Sequence, residues 1–192
     1  ESIVYTKLSE SDISNKYDDD VKKNLRKLIV TGKCISCTFA GVNLTAKDLK
    51  GKILTSSNLA SINLASSNLE EVDLHGADIN KANLEKANLG KADLYLADLN
   101  KANLNRANLA GANLSKADLS EANLEKANLY LANLETANLF KANLKEANLS
   151  GADLMRVNLY KANLHKATLM RTNLEEAHLA KATLSVANLF KA

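Results

Sequence analysis

From Phe39 to Leu189 every residue whose number ends in 4 or 9 is apolar, thirty-one positions in one unbroken register. All are Leu except Phe39 and Ile79. Two places before most of them stands a small residue, usually Ala, and one place before most of them Asn or Asp; the remaining two positions vary. The stretch KANLEKANLGKADL at 81–94 shows the unit plainly. A period of five suits neither regular structure. On a helix five residues advance a side chain by about 500°, so the leucines would wind around every face. On a flat strand five is odd, so alternate leucines would face solvent. A chain that turns a corner once per five residues points every Leu into one interior. Ala fits the crowded space beside each Leu, and Asn or Asp can hydrogen-bond local backbone at the turn. Successive coils then pair their backbones about 4.8 Å apart, and each buried Leu contributes about 1.5–3 kcal/mol before entropy is set against it. The pattern therefore predicts an all-β solenoid, with no site motif carried by its core.

Residues 1–33 lack the repeat. Asp18, Asp19 and Asp20 precede Val21, Leu25, Leu28 and Ile29 at helical spacing, and Gly32 follows, which predicts a helix over about 18–31. Solenoids need their terminal core and unpaired edge covered, so this helix is expected to cap the first coil. The expected organisation is a polar arm over 1–17, loose or forming a short edge strand, then a cap over 18–38 and a repeat rod over 39–192. Lys47 and Lys52 stand where Ala is expected and Ile53 where Asn or Asp is expected, so a distorted first coil is predicted. The last frames run in register to Ala192 with no capping segment, so either the chain continues in the native protein or two rods meet end to end as a homodimer.

Composition narrows the function. The chain has 46% hydrophobic residues, no Trp, no Pro and little Val or Ile, which argues against a sandwich or barrel. No apolar run is long enough to span a membrane. The net charge of +3, from 25 basic and 22 acidic residues, marks neither a strongly cationic nucleic-acid binder nor an acidic decoy. The first residue is Glu1 rather than Met, consistent with a removed leader. Three histidines, His75, His165 and His178, fall on different faces or distant coils, and no phosphate loop, zinc-helix or nucleophile-elbow motif occurs. An enzyme, a metal and a cofactor are not expected. Cys34 and Cys37 form one C-x-x-C, which alone fits a redox pair, half a zinc site or a local disulfide.

The A-(N/D)-L-x-x unit over 39–192 resembles the pentapeptide-repeat proteins. The resemblance implies a right-handed quadrilateral β-helix with four frames per coil, hence about 7–8 coils and a rod on the order of 37 Å long at ~4.8 Å per coil. The segment LIVTGKCISCTFAGVNL, residues 28–44, is similar to the helix, C-x-x-C, then repeats arrangement of exported bacterial and cyanobacterial members. That likeness implies a structural pairing of Cys34 with Cys37, and an exported setting, periplasm or thylakoid lumen, rather than the cytoplasm.

With twenty residues per coil, positions twenty apart stack into columns. One reads Lys81, Lys101, Glu121, Lys141, Lys161, Lys181; a second, one face away, reads Lys86, Arg106, Lys126, Glu146, Lys166. Such a ridge keeps a repetitive surface soluble, and as a functional surface it would meet phosphates or an acidic partner. The C-terminal half carries Tyr130, Leu131, Phe140, Met155, Tyr160, Met170 and Phe190 at outward positions, the residue types favoured at protein interfaces. The expected function is a non-enzymatic scaffold that presents these surfaces to a protein partner or to another copy. The alternatives are a DNA mimic that binds a type II topoisomerase, as some members of the family do, which the basic columns fit poorly, and anion or nucleic-acid binding through the lysine columns.

Overall fold

The computed structural model describes residues 3–192. From Lys33 onward the chain coils so that each Asn/Asp-position residue forms a parallel bridge with the residue twenty further on, from Lys33 with Ile53 to Thr168 with Asn188. One coil is thus four pentapeptides, and each pentapeptide ends at a corner.

The corner explains the unit. The second variable residue of each frame is left-handed, with φ between 53° and 60° at twenty-seven non-glycine positions. Most L-residues resist this conformation, at a cost of roughly 1–2 kcal/mol. The turn repeats because each backbone N–H finds a partner, shown by the frame Ala82–Lys86. The Ala82 N–H closes the β-turn onto the Ile79 carbonyl at 3.2 Å, Asn83 donates to Ile62 in the coil below at 2.9 Å, and Leu84 donates to Asn103 in the coil above at 2.7 Å. Glu85 donates to the side-chain Oδ1 of Asn83 at 3.2 Å. Lys86 donates to Asn105 above at 2.9 Å. All five donors are satisfied, and one depends on a side-chain oxygen that Asn and Asp supply at that reach. The leucines of 44–169 and their Ala neighbours form one continuous buried cluster.

Asn does a second job. Its Nδ2 donates to the Oδ1 of the residue one coil below, as in the run Asn83 to Asn63, Asn103 to Asn83, Asn123 to Asn103, Asn143 to Asn123 and Asn163 to Asn143, at 3.1 to 3.4 Å. The ladder fails where aspartates stack: Asp73 pairs with Asp93, and Asp78 with Asp98 and then Asp118. A carboxylate has no proton to give its neighbour, and like charges face each other. Asp98→Asn should therefore add a bond to Asp78, remove a like-charge contact and stabilise the rod by about 0.5–1.5 kcal/mol in a urea titration. An unchanged or lower midpoint would show that the ladder adds nothing.

Helix α1 (Asp19–Thr31) is capped by Asp18, whose carboxylate accepts from Val21 N–H at 2.8 Å, and ends at left-handed Gly32. Its buried face, Val21, Leu25 and Leu28, belongs to the same cluster as Cys34, Phe39 and the first leucines. Asn24 Nδ2 donates to the Thr38 carbonyl at 3.2 Å. Residues 3–17 are not loose. Strand β1 (Thr6–Lys7) pairs in parallel with β2 (Lys47–Asp48), taking the place of a preceding coil on that face, and Leu8 is buried. On the neighbouring face the Tyr17 hydroxyl accepts from Asn43 N–H at 3.1 Å.

The first coil is not distorted, contrary to the expectation from Lys47, Lys52 and Ile53. Bridges continue through it, and the turn bonds persist at Val42, Lys47 and Lys52; only at Cys34–Cys37 is the turn bond replaced, the Cys37 N–H donating to Ser57 Oγ at 3.2 Å. No full coil lies beneath these side chains, so they can leave the interior through the open end. Lys47 reaches Asp12 of the arm at 2.6 Å, and Lys52 lies over Gly32. Ser57 and Ser67, which replace Ala, are buried and donate to the Cys34 and Leu44 carbonyls of the coil below at 2.7 and 2.6 Å.

Candidate protein-interaction surfaces

Cys34 and Cys37 are joined by a disulfide at the start of the first coil, and neither is free. Both are buried, beneath α1, where the Asn24 carbonyl lies 3.6 Å from the Cys34 sulfur. Among the described residues no group of three or more His, Cys, Asp or Glu is placed to hold a metal, and no helix is long and apolar enough to cross a membrane. The three histidines lie apart: His75 tilts against Tyr95, His165 bonds Ser185, and His178 tilts against Tyr160.

The outward aromatic and aliphatic residues do not form one surface. The bridging register puts Phe140 and Tyr160 beside the left-handed residues 141 and 161, at a first corner. Tyr130, Leu131, Met170 and Phe190 lie half a coil away, at the diagonally opposite corner, and Met155 lies at a corner between them. Seven residues that read as one patch in sequence therefore belong to three places. Two of these places are built.

At one, Tyr130, Leu131, Ser150, Gly151, Met170 and Arg171 line a recess of about 340 Å³. Leu131 stands 56% exposed at its rim. The left-handed glycine at 151 makes the space: a Cβ there would lie 2.7 Å from the Leu131 Cδ2. Larger side chains on either side would fill the hollow, and Gly111 repeats the small residue one coil below Leu131.

At the other, Phe140 and Tyr160 stack in parallel, with centroids 6.0 Å apart. Lys141 lies over the Phe140 ring at 4.9 Å, and Lys161 and Lys181 over Tyr160 at 5.3 and 5.5 Å. The lysine column read from sequence is real as geometry, since its members occupy left-handed positions on successive coils. It is not uniformly free, because Glu121 pairs with both Lys101 and Lys141, at 3.8 and 3.9 Å. The second column is interrupted likewise by Glu146, 3.6 Å from Lys126. Pairs as exposed as these contribute little to stability, but they neutralise the middle of the ridge. A smaller cluster stands at a further corner, where Lys116 donates to the Tyr95 hydroxyl at 3.1 Å, a bond that raises the lysine's pKa above its ordinary value.

The family model for pentapeptide repeats matches residues 57–94, 97–135 and 137–175, in eight copies. The chain belongs to the pentapeptide-repeat family. Among solved pentapeptide-repeat proteins it is similar to HetL, described as involved in heterocyst differentiation regulation in the cyanobacterium Nostoc sp. strain PCC 7120. The two are 29% identical over 86% of this chain and 92% of that one, with a TM-score of 0.59. It is also similar to a trypsin-treated form of QnrB1, a plasmid-mediated fluoroquinolone resistance protein, at 20% identity over 81% of this chain and 79% of that one, with a TM-score of 0.62. That second likeness is one of fold. No curated protein matches the chain.

Proposed function

We propose that this pentapeptide-repeat protein is a non-enzymatic, protein-binding rod, a right-handed quadrilateral β-helix over 39–192 closed at its first coil by the 18–38 segment with the arm over 3–17. The observation that carries the reading is the recess beside Leu131. It is an apolar hollow with exposed aliphatic and aromatic walls and one cation, Arg171. Hollows of this kind accept a partner's apolar anchor. The similarity to HetL supports a regulatory role exerted through contacts rather than turnover. An oxidising compartment fits the closed Cys34–Cys37 pair.

The DNA-mimic alternative fares poorly because the corners, the most prominent positions of the coil, are largely lysine and arginine, whereas the aspartates sit half-covered on the faces. A mimic of a polyanion needs the reverse.

Leu131→Glu tests the proposal. Glutamate already occupies left-handed corners at Glu121 and Glu146, so the fold tolerates it. Tagged chain incubated with extract of its source should lose its main captured partner at least tenfold on Leu131→Glu and retain it on Lys81→Glu. Sedimentation of the same samples separates a foreign partner from a second copy, including one seated on the last coil, where Leu189 and Phe190 are exposed. Equal capture by both variants would sink the recess as the docking site.

A further inference from the structure

We infer that the corner bearing Phe140, Tyr160, Lys141, Lys161 and Lys181 is a second docking surface, and that its partner is an acidic α-helix lying along the rod axis. The inference rests on the reading of the protein as a binding rod, but on a different corner from the recess.

Charge places the partner's sign. The face between the two lysine columns is a run of amides, Asn63 to Asn163, whereas the stacked aspartates Asp73 and Asp93 lie on the opposite face; Asp78, Asp98 and Asp118 lie on the face that meets the amides at the Lys81–Lys181 corner, but along its upper coils that face carries Asn138, Asn158 and His178 instead. The rod is therefore polarised across its section. Within the positive side, Glu121 holds Lys101 and shares Lys141; among the described residues Lys81 and Arg106 are left without an acidic partner on the lower coils, and Lys161, Lys181 and Lys166 form the only such group of three on adjoining upper coils. An anionic partner gains most there.

The rings decide the class of partner. A single-stranded nucleic acid binds by laying bases on open aromatic faces. Here Phe140 and Tyr160 stack on each other with an interplanar angle of 1°, and lysine ammoniums cover both rings. The faces are taken, and what remains for a partner is ring edge and aliphatic lysine stem beside a row of charges. Phosphate tracking along the corner is cut at Glu121.

Spacing decides the shape. Lys141, Lys161 and Lys181 stand on consecutive coils, so their anchor points repeat about every 4.8 Å. An extended peptide repeats its same-side carboxylates about every 6.6–6.8 Å and slips out of step within two coils. A helix with acids at i, i+4 and i+7 advances about 6 Å and then about 4.5 Å along its axis, within reach of flexible lysines over three coils. Its neighbouring aliphatic residues would cover the Phe140 and Tyr160 edges.

The test uses the intact chain and a fluorescein-labelled sixteen-residue helical peptide with Glu at i, i+4 and i+7 and Leu flanking that stripe, chosen on the helical spacing just given. Parallel arms use the same residues scrambled, an oligothymidine of equal length, and vesicles containing phosphatidylserine. The expected result is saturable binding of the striped peptide, weaker binding of the scrambled one, and at least a tenfold loss with the double variant Lys161→Glu, Lys181→Glu. Leu131→Glu should leave this binding unchanged. Circular-dichroism melting checks that the double variant is folded, as Glu121 at the same corner leads one to expect. No binding of the striped peptide, tighter binding of oligothymidine or vesicles, or an undiminished double variant would overturn the inference while leaving the recess at Leu131 untouched.

Discussion

Leu124→Ala should lower the free energy of unfolding by about 3–4 kcal/mol, whereas Leu189→Ala should change it by less than about 1 kcal/mol. The two substitutions remove the same atoms from the same place in the unit. Leu124 is fully buried, with Leu104 and Leu144 one coil below and above it, so its loss leaves a cavity that neighbours on both sides cannot fill. Leu189 lies in the last coil and is already 43% exposed. Because each coil touches only its neighbours, a central defect also weakens the coupling between the two halves of the rod. The urea transition of Leu124→Ala should therefore broaden or split, and that of Leu189→Ala should stay single. Equal losses at the two positions would mean that the core is not a stack of neighbour contacts.

The second large effect is expected at the other end. Leu25→Asp puts a carboxylate into the contact between α1 and the first coil, where Leu25 has no exposed surface. A charge there costs several kcal/mol unless the helix leaves. The helix should leave, since α1 has only thirteen residues and depends on packing rather than propensity. Amides of 33–52 should then lose most of their hydrogen-exchange protection, with those of 100–150 little changed. Loss of protection across the whole chain would instead mean that α1 nucleates the entire solenoid. Protection unchanged at 33–52 would mean that the first coil needs no cover.

Much of this architecture was legible because one rule is written thirty-one times. The apolar register forced a corner every fifth residue, and the acid-led helix with Gly32 behind it was visible from spacing alone. What the periodicity could not supply was the handedness of the corner residue, since Lys, Arg, Glu and Ser give no hint of a positive φ. The five-donor accounting that makes Asn or Asp necessary emerged only from coordinates. Lys47 and Lys52 misled because a sequence does not say that no coil lies below them. The surface was read least well. Tyr130 and Phe140 are ten residues apart and look adjacent in a list, but ten residues is half a coil and sends them to opposite corners. The hollow beside Leu131 had a signal that went unread, glycines at 111 and 151 one coil away on either side. The stacked aspartates were visible as letters, but their missing ladder bonds were not.

The left-handed corner also constrains how such a chain can change in length. Proline cannot take a positive φ, and none occurs. Losing or gaining two or three residues would throw every later leucine out of the interior. A single pentapeptide can be lost without that penalty, but everything downstream then rotates by a quarter turn, so Phe140 and Tyr160 would no longer line up with Lys81 and Lys101. Only a change of twenty residues preserves both interior and exterior. The tally of pentads between two surface features thus acts as their compass bearing, and relatives that differ by one unit can share a core while facing their partners in different directions.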